Sequence, residues 1–269
     1  MNYPTKSVIT TFTNQIGERE YISDFTDDAK MLTHCAPIFI LPSSVPVPNT
    51  IHANGTVALI DTGSRRVLVT CEHVWSYFVN FRIEHKEARF AVVFRNGPGL
   101  PIHVDDASLI DCDTELDLAV FDAGLFDEAK GFKEFYRIYR FPVVDPKPRQ
   151  PISFLGFPGE ARRGSEVVGH FGYSSFGLTV SDVSSSLIVL ANTDPRILRD
   201  NHGNQVPPID IGGMSGAPAY TRTSSGGFNL VGFVRAGNNS NTDIRLSKAS
   251  FLREDGKLFR PAWHRCPTV

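Results

Sequence analysis

The stretch Ile211-Gly-Gly-Met-Ser-Gly-Ala-Pro-Ala-Tyr220 sets a serine inside a turn of small residues. A serine hydroxyl becomes a useful nucleophile only when a base takes its proton and nearby N–H groups hold the oxyanion that follows. Gly212, Gly213 and Gly216 flank Ser215 and open backbone conformations closed to residues with a Cβ. Such a turn can aim amide N–H groups at a point above the Ser215 hydroxyl. Pro218 then removes a donor and restricts the chain as it leaves. Gly, Ser and Pro also build ordinary surface turns, so this segment needs partners before it means catalysis.

Two upstream segments supply them. Arg66-Val-Leu-Val-Thr-Cys-Glu-His-Val-Trp75 is an apolar strand running into His73. A histidine has an ordinary pKa of about 6.5, and one held at a strand end suits general-base work near neutrality. A satisfied, half-buried structural histidine is the other reading, for any one of eight in the chain. In Thr114-Glu-Leu-Asp-Leu-Ala-Val-Phe121, Asp117 stands at the mouth of a second buried apolar run. A lone buried carboxylate is costly. An imidazole N–H would satisfy it and fix the tautomer of the histidine, and capping backbone amides would also serve. Acids are plentiful nearby, at Asp105, Asp106, Asp111, Asp113 and Glu115.

Taken in the order His, Asp, Ser, these segments resemble the trypsin-like (chymotrypsin-fold) serine peptidases, specifically their bacterial trypsin-like branch. The likeness rests on Thr70-Cys-Glu-His73, Asp117-Leu-Ala-Val120 and Gly213-Met-Ser-Gly-Ala-Pro218. Pro151-Ile-Ser-Phe-Leu-Gly-Phe-Pro-Gly159 is similar to the first strand of that family's second barrel. Leu230-Val-Gly-Phe-Val-Arg-Ala-Gly237 is similar to its cleft-lining strand. The resemblance implies an all-β fold of two six-stranded antiparallel β-barrels packed side by side, with the catalytic cleft between them. It also implies Ser215 as nucleophile, His73 as base and then acid, and Asp117 as its orienting partner. The N–H groups of Gly213 and Ser215 would form the oxyanion hole, with no metal and no cofactor.

The same resemblance places the specificity residues. Counting back from the serine puts Ile209 at the floor of the primary pocket with Asp210 beside it. Arg235, Ala236 and Gly237 fall on the cleft-lining strand. An apolar floor favours small or apolar side chains, whereas Asp210 would favour basic ones if it turned inward. Arg235 reads as a solvated charge or as a selector of acidic groups. There are departures too. Met214 stands where zymogen-type relatives carry an aspartate for a freed N-terminal amine, and no Ile-Val-Gly-Gly start appears, so activation by N-terminal cleavage is not expected. Cys71 reads as a small buried hydrophobe, not a second nucleophile. Ala217 replaces the second glycine of the serine motif.

The elements that must position these residues read as short β-rich runs separated by turn signals. In the first half they are residues 57–60, 67–69, 90–94, 102–104 and 116–121, with Asp61-Thr-Gly-Ser64 as a hairpin turn and residues 73–81 as a short helical turn. In the second half they are residues 151–157, 167–180, 187–190, 217–221 and 228–234. The expected organisation is an N-terminal extension over 1–33, a first barrel over 34–145, a second over 146–246 and a tail over 247–269 that docks as a helix or serves interaction. Thr193 to Pro208 reads as a long polar loop able to carry control.

The chain has 269 residues, 41% of them hydrophobic, enough for one double-barrel unit or two small domains. A formal net charge of −2 offers no basic field for nucleic acid or an anionic membrane. Cys35, Cys71, Cys112 and Cys266 are scattered, with neither a Cys-x-x-Cys pair nor zinc spacing. No signal-peptide core and no membrane span is visible, which leads us to expect a cytoplasmic protein with reduced thiols. The expected activity is a serine endopeptidase acting on a protein or peptide, with a regulatory partner ordering the 193–208 loop. The alternatives are a catalytically silent binding module on the same fold and an acyl or ester hydrolase with the same three residues. Against the last, α/β-hydrolases run Ser, Asp, His along the chain.

Overall fold

The computed structural model describes residues 25–42, 54–94, 101–124, 133–159, 162–164, 169–171, 173–191, 212–237 and 243–261. The described chain opens with helix α1 (Phe25–Thr33), whose first turn carries Asp27 and Asp28 at the positive end of the helix dipole. Strand β1 (Cys35–Leu41) follows at once, with all seven residues buried. It pairs antiparallel with β2 (Asn54–Asp61), which turns through a hairpin into β3 (Arg66–Thr70). Gly63 takes the left-handed position there at φ +98°, and the Asp61 carboxylate accepts its N–H.

Helix α2 (Glu72–Glu84) continues from β3. Strands β4 (Arg89–Val92), β5 (Ile102–His103), β6 (Leu109–Asp113), β7 (Leu118–Asp122) and β8 (Tyr136–Arg137) complete an eight-stranded sheet. Its order is β5-β4-β1-β2-β3-β7-β6, with β8 lying parallel to β2. Among the described residues this sheet is curled but open, where a closed six-stranded barrel was expected. Trp75 of α2 packs on both Phe90 of β4, at 5.5 Å, and Phe121 of β7, at 5.0 Å, and those two rings lie 6.1 Å from each other, so the helix covers one core shared by strands near the two margins.

The second half meets the expectation. Strands β9 (Pro151–Gly156), β10 (Arg162–Gly164), β11 (Gly169–Phe171), β12 (Ser174–Val183), β13 (Leu187–Ala191), β14 (Pro218–Arg222), β15 (Phe228–Gly237) and β16 (Asp243–Lys248) follow in order. Six of them close a barrel in the order β12-β13-β16-β15-β14-β9, and β10 pairs with β11. Closure leaves no free edge. A closed antiparallel barrel packed against a curled antiparallel sheet is the chymotrypsin-like arrangement. Phe154, Ile188, Leu190, Met214 and Leu246 fill the barrel, while Val69 and Leu118 join Leu155, Tyr220 and Phe233 in a core between the halves.

Both ends of the described chain stitch the halves together. In α1, Asp27 pairs with Arg222 and Asp28 accepts the Ser175 hydroxyl at 2.8 Å, while Leu32 gives its carbonyl to the buried Lys133 ammonium at 2.6 Å. Burial pushes the Asp28 carboxyl up, against the pull of the Ser175 hydroxyl. After β16 the chain makes a 3-10 turn (Ala249–Phe251) and crosses back over the first sheet. There Thr62 donates to the Glu254 carbonyl at 2.6 Å, and Arg260 donates to Asp111 and Asp113. Up to residue 261 the expected tail is therefore a strap on the first sheet, while Trp263 and Cys266 lie outside the described residues. Cys35, Cys71 and Cys112 are free thiols, and burial pushes that of Cys35 up to about 11. No helix among the described residues is long and apolar enough to cross a membrane.

Candidate active site

His73 stands in the first turn of α2, one step past β3, and Cys71 caps the helix with its carbonyl accepting the N–H of Val74. Because β3 is paired on both sides, by β2 and β7, the ring starts from a fixed base. Asp117 occupies the turn between β6 and β7, with φ +51°, a left-handed value that costs a residue with a side chain. The surroundings hold it there. Asp113 accepts the N–H of Glu115 at 3.0 Å and of Leu116 at 2.9 Å, and the buried Ser247 hydroxyl of β16 donates to the Leu116 carbonyl at 2.6 Å.

Asp117 is 5% exposed and accepts three contacts from one residue. The backbone N–H of His73 reaches Oδ1 at 3.0 Å, and the ring Nδ1 lies 3.0 Å from Oδ1 and 2.9 Å from Oδ2. With a proton on Nδ1, Nε2 is left as an acceptor. It lies 3.0 Å from Ser215 Oγ. The structure thus brings together His73, Asp117 and Ser215 from α2, the β6–β7 turn and the turn before β14.

The serine turn is pinned by its carbonyls. That of Gly212 accepts the N–H of Gly159 at 2.6 Å, that of Gly213 the Thr56 hydroxyl at 3.1 Å, and that of Ser215 the Thr56 N–H at 2.9 Å. Gly213 and Gly216 adopt φ +92° and +91°. A Cβ on Gly216 would lie 2.1 Å from the Thr56 carbonyl oxygen, so only glycine fits. A trans peptide points its N–H opposite its carbonyl. The Gly213 N–H shares its peptide with the Gly212 carbonyl, and the Ser215 N–H shares its own with the Met214 carbonyl, which accepts the Ala217 N–H at 2.9 Å. With these two carbonyls engaged, neither N–H finds an acceptor among the described residues. Met214 is fully buried in the barrel core, an apolar anchor for the turn.

Thr56 is the residue that sequence reasoning missed. It is wholly buried, and its hydroxyl also accepts the Phe157 N–H at 3.0 Å, so one side chain on β2 joins the first sheet, β9's end and the serine turn. A threonine opening an apolar strand carries no signal of its own.

Cys71, His73 and Asp117 offer three donor atoms within 4.8 Å of one another. Their chemistry fits a metal ion poorly. Nδ1 is committed to Asp117, and burial together with the Asp117 charge pushes the Cys71 thiol well up. That thiol donates to the Val234 carbonyl at 3.1 Å, which agrees with a buried structural cysteine. A guanidinium beside the carboxylate opposes a second cation. It belongs to Arg235, whose Nε lies 3.5 Å from Asp117 Oδ2 and whose Nη1 donates to the Glu115 carbonyl at 2.9 Å. Its side chain is 28% exposed, so the residue read as a solvated charge or a selector of acidic groups is partly solvated and also touches the Asp117 turn. Ala236 and Gly237 continue β15, paired with Arg245 and Ile244. Ile209, Asp210 and the 193–208 loop lie outside the described residues.

No protein-family model and no curated protein matches the sequence. Solved structures similar to this chain include a thermostable serine protease AL20 from an extremophilic microorganism, at 14% identity and TM-score 0.49, covering 82% of this chain and 92% of that one. Another is Rv3671c from M. tuberculosis, a serine-to-alanine mutant in its inactive form, at 14% identity and TM-score 0.43, covering 82% and 83%. The fold assignment rests on the strand order itself and not on these likenesses.

Proposed function

We propose that the chain is a serine endopeptidase working through Ser215, His73 and Asp117. The observation that carries this reading is the continuous chain of contacts from Asp117 through His73 Nδ1, at 2.9 Å, to His73 Nε2 and Ser215 Oγ, at 3.0 Å. His73 takes the hydroxyl proton as Ser215 Oγ attacks the scissile carbonyl. The Gly213 and Ser215 N–H groups hold the resulting oxyanion. His73 then gives its proton to the leaving amine, and an acyl-enzyme remains on Ser215. Water, deprotonated by the same Nε2, releases the acid and restores the hydroxyl. Asp117 keeps the ring in one tautomer and stabilises the imidazolium that forms.

The Gly159 and Ala217 N–H groups support a formed oxyanion hole without help from a charged N-terminus, because they engage the Gly212 and Met214 carbonyls of the two peptides that would form it, while Thr56 holds the neighbouring Gly213 and Ser215 carbonyls. We therefore expect the full chain to act without N-terminal processing. The test is digestion of a peptide library, in parallel with activated ester substrates, by the mass-verified chain and by Ser215→Ala. Peptide cleavage lost in the variant supports the proposal. Hydrolysis of esters alone favours an acyl hydrolase, and no Ser215-dependent turnover of either would leave the fold as a binding module.

A further inference from the structure

Arg235 is the extra residue of a β-bulge. Val234 pairs with Leu246 and Ala236 with Arg245, so Arg235 has no partner on β16. A bulge redirects the side chain it carries, and bulges recur beside active sites for that reason. Here it turns the guanidinium across the seam between the two halves. One nitrogen lies 3.5 Å from Asp117 Oδ2, and another donates to the Glu115 carbonyl two residues earlier at 2.9 Å. The backbone just before it holds the other side of the site. The Val234 carbonyl accepts the N–H of Gly216 at 2.7 Å and the Cys71 thiol at 3.1 Å, while its N–H reaches the Ala217 carbonyl at 2.8 Å.

We propose that Arg235 is a positioning residue for the His73–Asp117 pair, a two-point clamp that holds the Asp113–Asp117 turn in register with the serine turn. The inference rests on the proposed peptidase reading. Asp117 sits at a positive φ, and its carboxylate is nearly buried. The guanidinium fork fits both needs, one arm on the carboxylate and one on the backbone of the same turn. A lysine ammonium at the end of a flexible stem is a point charge and cannot reproduce both contacts. One strand thereby registers both turns, Ser215's through backbone bonds and Asp117's through a side chain.

The competing role is selection of acidic substrate side chains, and a small uncharged fluorophosphonate separates the two because it does not read substrate charge. For the full chain, Arg235→Gln and Arg235→Lys, two quantities are measured: the rate of Ser215 modification, and the downfield proton NMR signal of the His73–Asp117 hydrogen bond, identified by its loss in Asp117→Ala. The clamp predicts that Arg235→Gln slows modification by about tenfold or more and shifts or broadens the downfield signal. Arg235→Lys should fall between it and the parent, and peptide kinetics should show lower kcat at an unchanged KM. Thermal midpoints are followed in parallel, and the Lys variant remains informative should the Gln variant fold poorly. A parent-like modification rate and signal in both variants, with KM raised only for acidic peptides, would overturn the proposal. If the parent itself is not modified, the peptidase reading fails while the NMR signal still decides the clamp.

Discussion

The second barrel closes on itself, β9 pairing with both β12 and β14, whereas the described part of the first sheet ends in separate margins at β5 and β6. The serine turn belongs to the closed half, anchored from below by the fully buried Met214. His73 and Asp117 belong to the open half, where His73 and the Asp113 turn hold Asp117 locally and groups from elsewhere add to them. Ser247 and Arg235 reach its turn from the barrel, and Arg260 reaches Asp113 from the C-terminal strap. Bonds cross the seam in both directions, but by different means: the serine turn takes the N–H and hydroxyl of one β2 residue, Thr56, while the Asp117 turn takes side chains from the barrel and the strap. Damage at the seam should therefore reach both turns, through Thr56 on one side and through Arg235 and Ser247 on the other.

The largest effect expected removes the chemistry from either half. Ser215→Ala, His73→Ala and Asp117→Ala should each lower turnover by about three or more orders of magnitude with circular dichroism unchanged. Pairing two of these changes across the halves should add little to the worse single variant, since the residues act as one unit. Additive losses would mean that the halves work independently.

Gly216→Ala strikes the seam itself. Its Cβ would meet the Thr56 carbonyl at 2.1 Å in a backbone held at φ +91°. We expect a loss of about 2–4 kcal/mol in denaturant unfolding. A neutral result would show that the serine turn can yield where it meets Thr56.

Thr56→Val removes only the hydroxyl, leaving the Gly213 carbonyl and the Phe157 N–H without that partner. The expected cost is about 1–3 kcal/mol of stability and about ten- to a hundredfold in kcat. Thr56→Ser keeps the hydroxyl and should recover most of both. Equal behaviour of Val and Ser would remove Thr56 from the site.

Sequence reading found what local chemistry announces and missed what only tertiary structure assembles. His73, Asp117 and Ser215 were visible because each closes or opens an apolar run within a short, distinctive spacing. The β2–β3 hairpin was visible through Asp61-Thr-Gly-Ser64, and the helix after His73 through its position, although it runs on to Glu84. The strand at Cys35–Leu41 was not singled out, since a continuous apolar run lacks the alternation that marks a half-buried strand. Asp243–Lys248 escaped for the opposite reason, its polar residues masking the strand that closes the barrel. For Arg235, read as a solvated charge or a selector of acidic groups, the contacts with the Asp117 turn were not foreseen, because a bulge, which no periodicity reveals, decides where its side chain goes.

The smallest effect concerns the strap. Burial alone would raise the Asp111 carboxyl, but hydrogen bonds from Arg260 and the Leu258 N–H, with the Arg260 charge, draw it below the usual range. A carboxylate depressed on folding adds stability that is present above its unfolded value, about 3.9, and lost as pH falls through the lower folded value. Arg260→Gln should therefore cost stability at pH 7, with the difference from the parent fading below about pH 4. Arg260 is 42% exposed and solvent screens the pair, so the cost should stay under about 1 kcal/mol. A difference that grows on acidification would reverse the sign argued here.

The most direct test of the central claim is to treat the intact chain with a fluorophosphonate and map the adduct by peptide mass. The expected result is a single adduct on Ser215, absent in Ser215→Ala and formed far more slowly in His73→Ala. An adduct on another serine, or labelling of Ser215 at the parent rate when His73 is alanine, would contradict the assembly of one nucleophile from two unlike halves.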